Sequence, residues 1–242
     1  MIKVPRTIVP SFFTIANMFF GFLAILYAFN SQNFVRSSWL IILAAFMDSM
    51  DGRVARFTGT SSKFGVEYDS LADVVSFGLA PSVLIYLYYF HNWGTVGVFI
   101  SFFPLLFASI RLARFNVELE GFEKEAFTGL PSPASAISIA SYFIFMAAYF
   151  PDKILPKFLL VLVLTVCVLM VSTIRYEVMP KLTLRGTIGQ KIGVFIVVTV
   201  VILLIVNPQL FVFPLTLIYI LSGLIQFMIR LSKGKRLGGK KI

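Results

Sequence analysis

Apolar runs of about 18 residues or more recur along the chain, and a run of that length, coiled as a helix, spans the hydrocarbon core of a bilayer. Short stretches carrying charge, proline or glycine separate them. Eight membrane helices are predicted on this pattern, near 12–29, 35–57, 66–90, 94–116, 132–150, 154–173, 190–206 and 209–230. The chain therefore reads as one integral membrane domain, 1–242, an all-α polytopic transmembrane helix bundle with no internal repeat. Residues 1–11 are expected to lie along the interface, with Ile2, Val4 and Ile8 toward lipid and Lys3 and Arg6 at the headgroups. Residues 231–242 read as a basic, membrane-attracted tail.

Composition sharpens this picture. With 58% hydrophobic and 13% charged residues, a soluble domain is excluded. The net charge of +10 raises nucleic acid as a partner, but the placement of the charges points to lipid instead. With the N-terminus inside, all of the 21 lysines and arginines except Arg36, Lys153 and Lys157 fall on cytoplasmic segments, as the positive-inside rule expects. Both termini are then cytoplasmic. The single Cys167 lies in an apolar run, so no disulfide framework exists, and His91 beside Trp93 belongs to an interfacial belt.

The second and third helices break the apolar pattern. The chain has 11 acidic residues, and four of them, Asp48, Asp51, Asp69 and Asp73, stand at helical intervals here. The spacing is D-x2-D-G-x2-A-R-x8-G-x3-D-x3-D, from Asp48 to Asp73. Asp48, Asp51, Gly52 and Ala55 share one helix face, and Gly65, Asp69 and Asp73 share another. Residues 57–64, FTGTSSKF, read as a turn between antiparallel helices. Gly52, Ala55 and Gly65 remove side-chain bulk, so the backbones can approach closely. Four carboxylates would converge on one cleft at the cytoplasmic end of the two helices. Like charges so placed need a counter-charge, and all-oxygen ligands suit Mg²⁺, Mn²⁺ or Ca²⁺. A bland alternative is an acidic network paired with Arg53, Arg56 and Lys63. A divalent-cation transporter is another, since intramembrane aspartates also mark ion pathways. Against the transporter, helices five to eight offer no acid between Asp152 and Glu177.

The eight fixed residues of this spacing, Asp48, Asp51, Gly52, Ala55, Arg56, Gly65, Asp69 and Asp73, resemble the signature of the CDP-alcohol phosphatidyltransferases, membrane enzymes of phospholipid synthesis. R-L-A-R-F-N, from Arg111 to Asn116, followed by F-x-G-L-P-x-P-A, from Phe127 to Ala134, resembles one branch of that family, the phosphatidylserine synthases. The resemblance covers about residues 10–135, the expected catalytic core. It implies a CDP-lipid substrate, CDP-diacylglycerol or a CDP-activated ether lipid, L-serine as acceptor, CMP as leaving group, and a homodimer in the cytoplasmic membrane. In the family the first helix helps to hold the CDP group. Thr14, Asn17 and Gly21 fall on one face of that helix here, a stripe that can equally hydrogen-bond a neighbouring helix. The asparagine that often follows the family's proline is Ser11 in this chain.

The expected roles follow from chemistry. Displacing CMP from a pyrophosphate needs metal ions to neutralise developing charge, and an activated hydroxyl. Asp48, Asp51 and Asp69 are expected to hold a pair of ions, Mg²⁺ or Mn²⁺ with Ca²⁺ as a possible occupant. Asp73 is expected to be the general base while sharing a metal. Gly52, Ala55 and Gly65 would let the nucleotide lie close, and Arg56 would meet a CDP phosphate. The serine carboxylate needs a cation, for which Arg111 and Arg114 are candidates and Lys63 a weaker one, with Asn116 beside them. A phosphorylated acceptor, glycerol 3-phosphate or inositol phosphate, would use the same chemistry with more cationic donors.

Overall fold

The computed structural model describes residues 11–30, 32–58, 63–120, 129–151, 153–174, 176 and 188–232. Among these, every regular element is helical. Helix α1, Phe12–Asn30, buries Thr14, Asn17, Gly21, Ala24 and Ala28 along one stripe of small and polar residues. Small residues let neighbouring backbones come close, which is how helices associate where no water drives them together. Helix α2, Phe34–Thr58, packs along this stripe, and Ser37 Oγ donates to the Ala24 carbonyl at 2.8 Å.

The third rod is a composite. Helix α3, Lys63–Asp73, runs into a π-helical turn, Val74–Leu79, and then into α4, Ala80–Tyr88. Pro81 explains the interruption: it has no N–H to give and its ring crowds the carbonyl four residues back, so the ladder widens ahead of it. The turn begins directly after Asp73 and buries Ser76, Phe77 and Gly78. A 3-10 turn, Phe90–Trp93, leads into α5, Gly94–Glu120. Pro104 interrupts α5, and the Leu105 N–H finds Ser82 Oγ on α4 at 3.1 Å. An interhelical hydroxyl thereby serves backbone that lipid could not.

Helix α6, Ser132–Tyr149, is the hub, packed by α2, α7 (Pro156–Val171), α9 (Pro208–Ser232) and the π-helical turn. Tyr142 gathers Phe143, Phe158 and Phe213 around it. The segment entering α6 is pinned to the end of α7: Gly129 N–H bonds Ile174 O at 2.8 Å and Leu130 N–H bonds Leu169 O at 2.9 Å. Gly129 has φ +84, and a Cβ there would lie 2.3 Å from the Met170 carbonyl oxygen. Helix α8, Ile188–Val206, packs on α9.

Polarity is reversed relative to a protein in water. Phe99, Phe195, Ile205 and Ile218 face outward, while Asn17, Ser37, Asp73 and Ser132 are buried. Five helical stretches, Phe12–Asn30, Phe64–Tyr88, Phe90–Val117, Ser132–Tyr149 and Pro208–Met228, are long and apolar enough to cross a membrane. This is an integral membrane protein. Helix α2 falls outside that group because Arg36, Asp48, Asp51, Arg53 and Arg56 dilute it, and α7 is a shorter apolar helix. Of the expected interfacial segment, residues 1–10 lie outside the described residues, as does the tail from 233 onward.

Candidate active site

Three of the four aspartates come together. Asp48 on α2 and Asp69 and Asp73 on α3 each place a carboxylate oxygen within 4.8 Å of the others. Helical spacing accounts for the pair on α3, four residues and just over one turn apart. The α1 stripe accounts for the depth, because it lets both acid-bearing helices close on α1. Asp73 is buried, with 7% of its surface exposed, and Asn17 Nδ2 donates to its Oδ1 at 3.0 Å. The backbone oxygen of Asn17 accepts from Ser76 Oγ at 2.9 Å, so one α1 residue grips both Asp73 and the turn that follows it.

Asp51 is handled differently from its neighbours. Thr14 Oγ1 donates to its Oδ2 at 2.6 Å, Ser11 Oγ donates to its Oδ1, and the two hydroxyls contact each other at 2.9 Å. Its carboxylate is thus held by the start of α1, on the flank of the cluster.

Arg111 on α5 is a cation within electrostatic reach of Asp48 and Asp73. Its Nη1 donates to Ser132 Oγ at 3.1 Å, while its Nε is buried without a partner among the described residues. Asp69 Oδ1 is likewise buried, with no partner among the described residues. Three clustered carboxylates, one of them with an orphaned buried oxygen, fit a hard divalent cation, whose preferred ligands are oxygens. A divalent ion would supply the counter-charge that three clustered carboxylates call for.

The remaining expected residues divide. Gly52 is exposed on α2 and a Cβ added there would meet nothing within 4 Å, so the space beside it is open. Ala55 and Arg56 lie on the last turns of α2 and Lys63 opens α3, but their side chains lie outside the described residues. Gly65 is half-buried on α3, and Arg114 is exposed one turn beyond Arg111. Asn116 ties α5 to α3: it accepts from Ser70 Oγ at 3.1 Å and donates to Glu67 Oε2 at 3.2 Å. Thr14 and Asn17, expected at the CDP group, bond to Asp51 and Asp73.

Sequence reasoning places neither Ser11 nor Ser132 in the site. Ser11 is within reach of pattern alone, since it precedes Thr14 by three residues on the polar stripe. Ser132 occupies an unspecified position of F-x-G-L-P-x-P-A, and no spacing relates it to Arg111.

The family model for CDP-alcohol phosphatidyltransferases matches residues 7–166, a stretch that contains Asp48, Asp51, Asp69 and Asp73. The chain belongs to the CDP-alcohol phosphatidyltransferase family. It is 36% identical, over 95% of its length and 94% of the relative's, to the CDP-diacylglycerol–serine O-phosphatidyltransferase of Helicobacter pylori. A protein of the same name from Methanocaldococcus jannaschii is 34% identical over 91% of this chain and 94% of its own. The archaetidylserine synthase of Methanothermobacter thermautotrophicus is 36% identical over 69% of this chain and 68% of its own.

Proposed function

We propose that this protein transfers the phosphatidyl group of CDP-diacylglycerol, or of a CDP-activated ether lipid, to the hydroxyl of L-serine. The observation that carries the reading is a buried carboxylate, Asp73, set among further acids and within electrostatic reach of a guanidinium. The names and near full-length similarity of the relatives from H. pylori and M. jannaschii support the same acceptor.

The serine oxygen attacks the phosphorus that bears the diacylglycerol, the bond from that phosphorus to the CMP oxygen breaks, and CMP leaves with the electron pair. Asp73 takes the hydroxyl proton; Asn17, bonded to its Oδ1, holds the carboxylate in one orientation. Asp48, Asp69 and Asp73, with Asp51 beside them, would hold a pair of Mg²⁺ or Mn²⁺ ions. Such ions, when bound, supply charge neutralisation at the pyrophosphate. Gly52 leaves room for the nucleotide against α2, with Ala55 and Gly65 on the same cleft, and Arg56 meets a phosphate. Arg111 receives the serine carboxylate, with Arg114, Lys63 and Asn116 at the cytoplasmic rim. All eight helical rods would cross the cytoplasmic membrane, the acids facing the cytoplasm, and the enzyme would work as a homodimer.

An acceptor competition tests this. Purified protein with CDP-diacylglycerol and Mg²⁺ or Mn²⁺ is offered L-serine, glycerol 3-phosphate and inositol phosphate together, and the lipid product is identified by mass. Phosphatidylserine as the dominant product is expected. A phosphorylated headgroup as the dominant product would overturn the choice of acceptor.

A further inference from the structure

The buried end of Arg111 is arranged by residues that the reaction itself does not use. A guanidinium offers five N–H donors in a fixed planar fork. Here Nη1 is bonded to Ser132 Oγ, while Nε is buried with no acceptor among the described residues. A buried donor left unpaired costs free energy, which an acceptor arriving at that edge would recover.

Ser132 does not reach this place by chance of rotamer. It is fully buried at the first position of α6. The three residues before it are fixed: Gly129 and Leu130 bond the last turn of α7 and the residues after it, Leu130 is fully buried, and Pro131 enters the helix with φ −58 and ψ 139. The end of α7 thereby dictates where the Ser132 hydroxyl stands, and the hydroxyl dictates how the Arg111 fork is turned. Tyr219 of α9 also stands within electrostatic reach of the guanidinium. Its ring packs 5.4 Å from that of Tyr176, which bonds the Ile220 carbonyl at 3.4 Å. Among the described residues within electrostatic reach of the guanidinium, only Asp48 and Asp73 are carboxylates, and both stand on the acid-cleft side.

We propose that Ser132 is a positioning residue for acceptor choice: by engaging Nη1 it turns the unpaired Nε edge of Arg111 toward the acid cleft, where it receives the carboxylate of the incoming amino acid. The inference rests on the transferase reading above. It adds that preference for serine over ethanolamine, the same amino alcohol without the carboxylate, depends on a hydroxyl that touches neither substrate.

The test uses the full chain, Ser132→Ala and Ser132→Thr, with steady-state kinetics for L-serine and for ethanolamine. Loss of a hydrogen bond to a charged group predicts a rise in serine KM of about ten-fold or more in Ser132→Ala. Its kcat at saturating serine, the KM for CDP-diacylglycerol and whatever ethanolamine transfer the wild type shows stay within about two-fold. Ser132→Thr, which keeps the hydroxyl, restores the serine KM. An unchanged serine KM in Ser132→Ala overturns the proposal, as does an equal loss with both acceptors or a kcat loss that Ser132→Thr does not repair. If the wild type transfers to other alcohols but not to serine, the transferase acceptor reading fails and the proposal with it. If it transfers to serine and the Ala variant is unaltered, only the proposal fails.

Discussion

Gly21→Ala tests the close approach that sets the depth of the site. The added Cβ would lie 2.3 Å from Ser76 Oγ, 2.7 Å from Ser76 Cα and 2.9 Å from Ser76 Cβ. A rotamer change can move the hydroxyl, but the Ser76 α-carbon is backbone and moves only with its helix. Carbon atoms rest at about 3.5 Å or more, so α1 and the π-helical turn must part by about 0.8 Å. Asn17 rides on α1 and Asp73 directly precedes the π-helical turn, so their 3.0 Å hydrogen bond would stretch toward the limit of a useful bond. Overpacking of this kind costs about 1–3 kcal/mol, whereas alanine gains about 1 kcal/mol over glycine in helix propensity, so overpacking wins narrowly. Misplacement of Asp73 by most of an ångström weighs more on the chemistry, at about a hundred-fold in turnover. Thermal unfolding in detergent and serine-dependent CMP release at saturating substrate are the assays, with a lower midpoint and the turnover loss expected. Adding Ser76→Ala does not rescue the variant, since the clash with the backbone remains. An unchanged midpoint with unchanged turnover would refute this packing.

Gly52→Ala is the counterpart, because its Cβ would enter open space: the unfolding midpoint should rise slightly, by helix propensity of up to about 1 kcal/mol, while the KM for CDP-diacylglycerol rises several-fold, and an unaltered KM would remove Gly52 from the nucleotide cleft. Gly129→Ala meets both a positive φ and the Met170 carbonyl, and should lower stability by about 1–3 kcal/mol in the same unfolding assay. Asp73→Asn keeps the shape of the side chain and the Asn17 contact within reach but removes the proton acceptor, so kcat should fall by about a hundred-fold or more while binding of the CDP-lipid, followed by equilibrium titration, persists.

The aspartates are legible in the sequence because a helix converts spacing into direction: charge in apolar surroundings marks two faces, and three of the four acids on them meet. The fourth, Asp51, depends on how α1 is rotated against α2, which spacing within one helix does not determine; only the structure shows Ser11 and Thr14 holding it. Glycines are ambiguous for a related reason. Gly21 and Gly52 both lack side chains, yet one is pressed against Ser76 and the other borders open space, a difference that lies in the partner element. The apolar pattern carries the third helix unbroken over 66–90, and only the structure shows the π-helical turn ahead of Pro81, directly after Asp73. Arg111 and Arg114 look interchangeable in R-L-A-R-F-N; their three-residue offset puts one against Ser132 and leaves the other exposed. The bond between Arg111 and Ser132 spans a turn and a second helix, and no local pattern encodes it.

If this acid cluster, loaded with a divalent ion, moves a phosphatidyl group onto serine, one assay shows it most directly. CMP release by the purified protein is measured with CDP-diacylglycerol and Mg²⁺ or Mn²⁺, with and without L-serine, and repeated with EDTA and with Asp69→Asn. The expected release requires serine, disappears with EDTA and returns on adding back excess metal, and is lost in Asp69→Asn, where the buried Asp69 Oδ1 has no partner among the described residues. Serine-dependent release that persists in EDTA, or that survives in Asp69→Asn, would contradict the assignment.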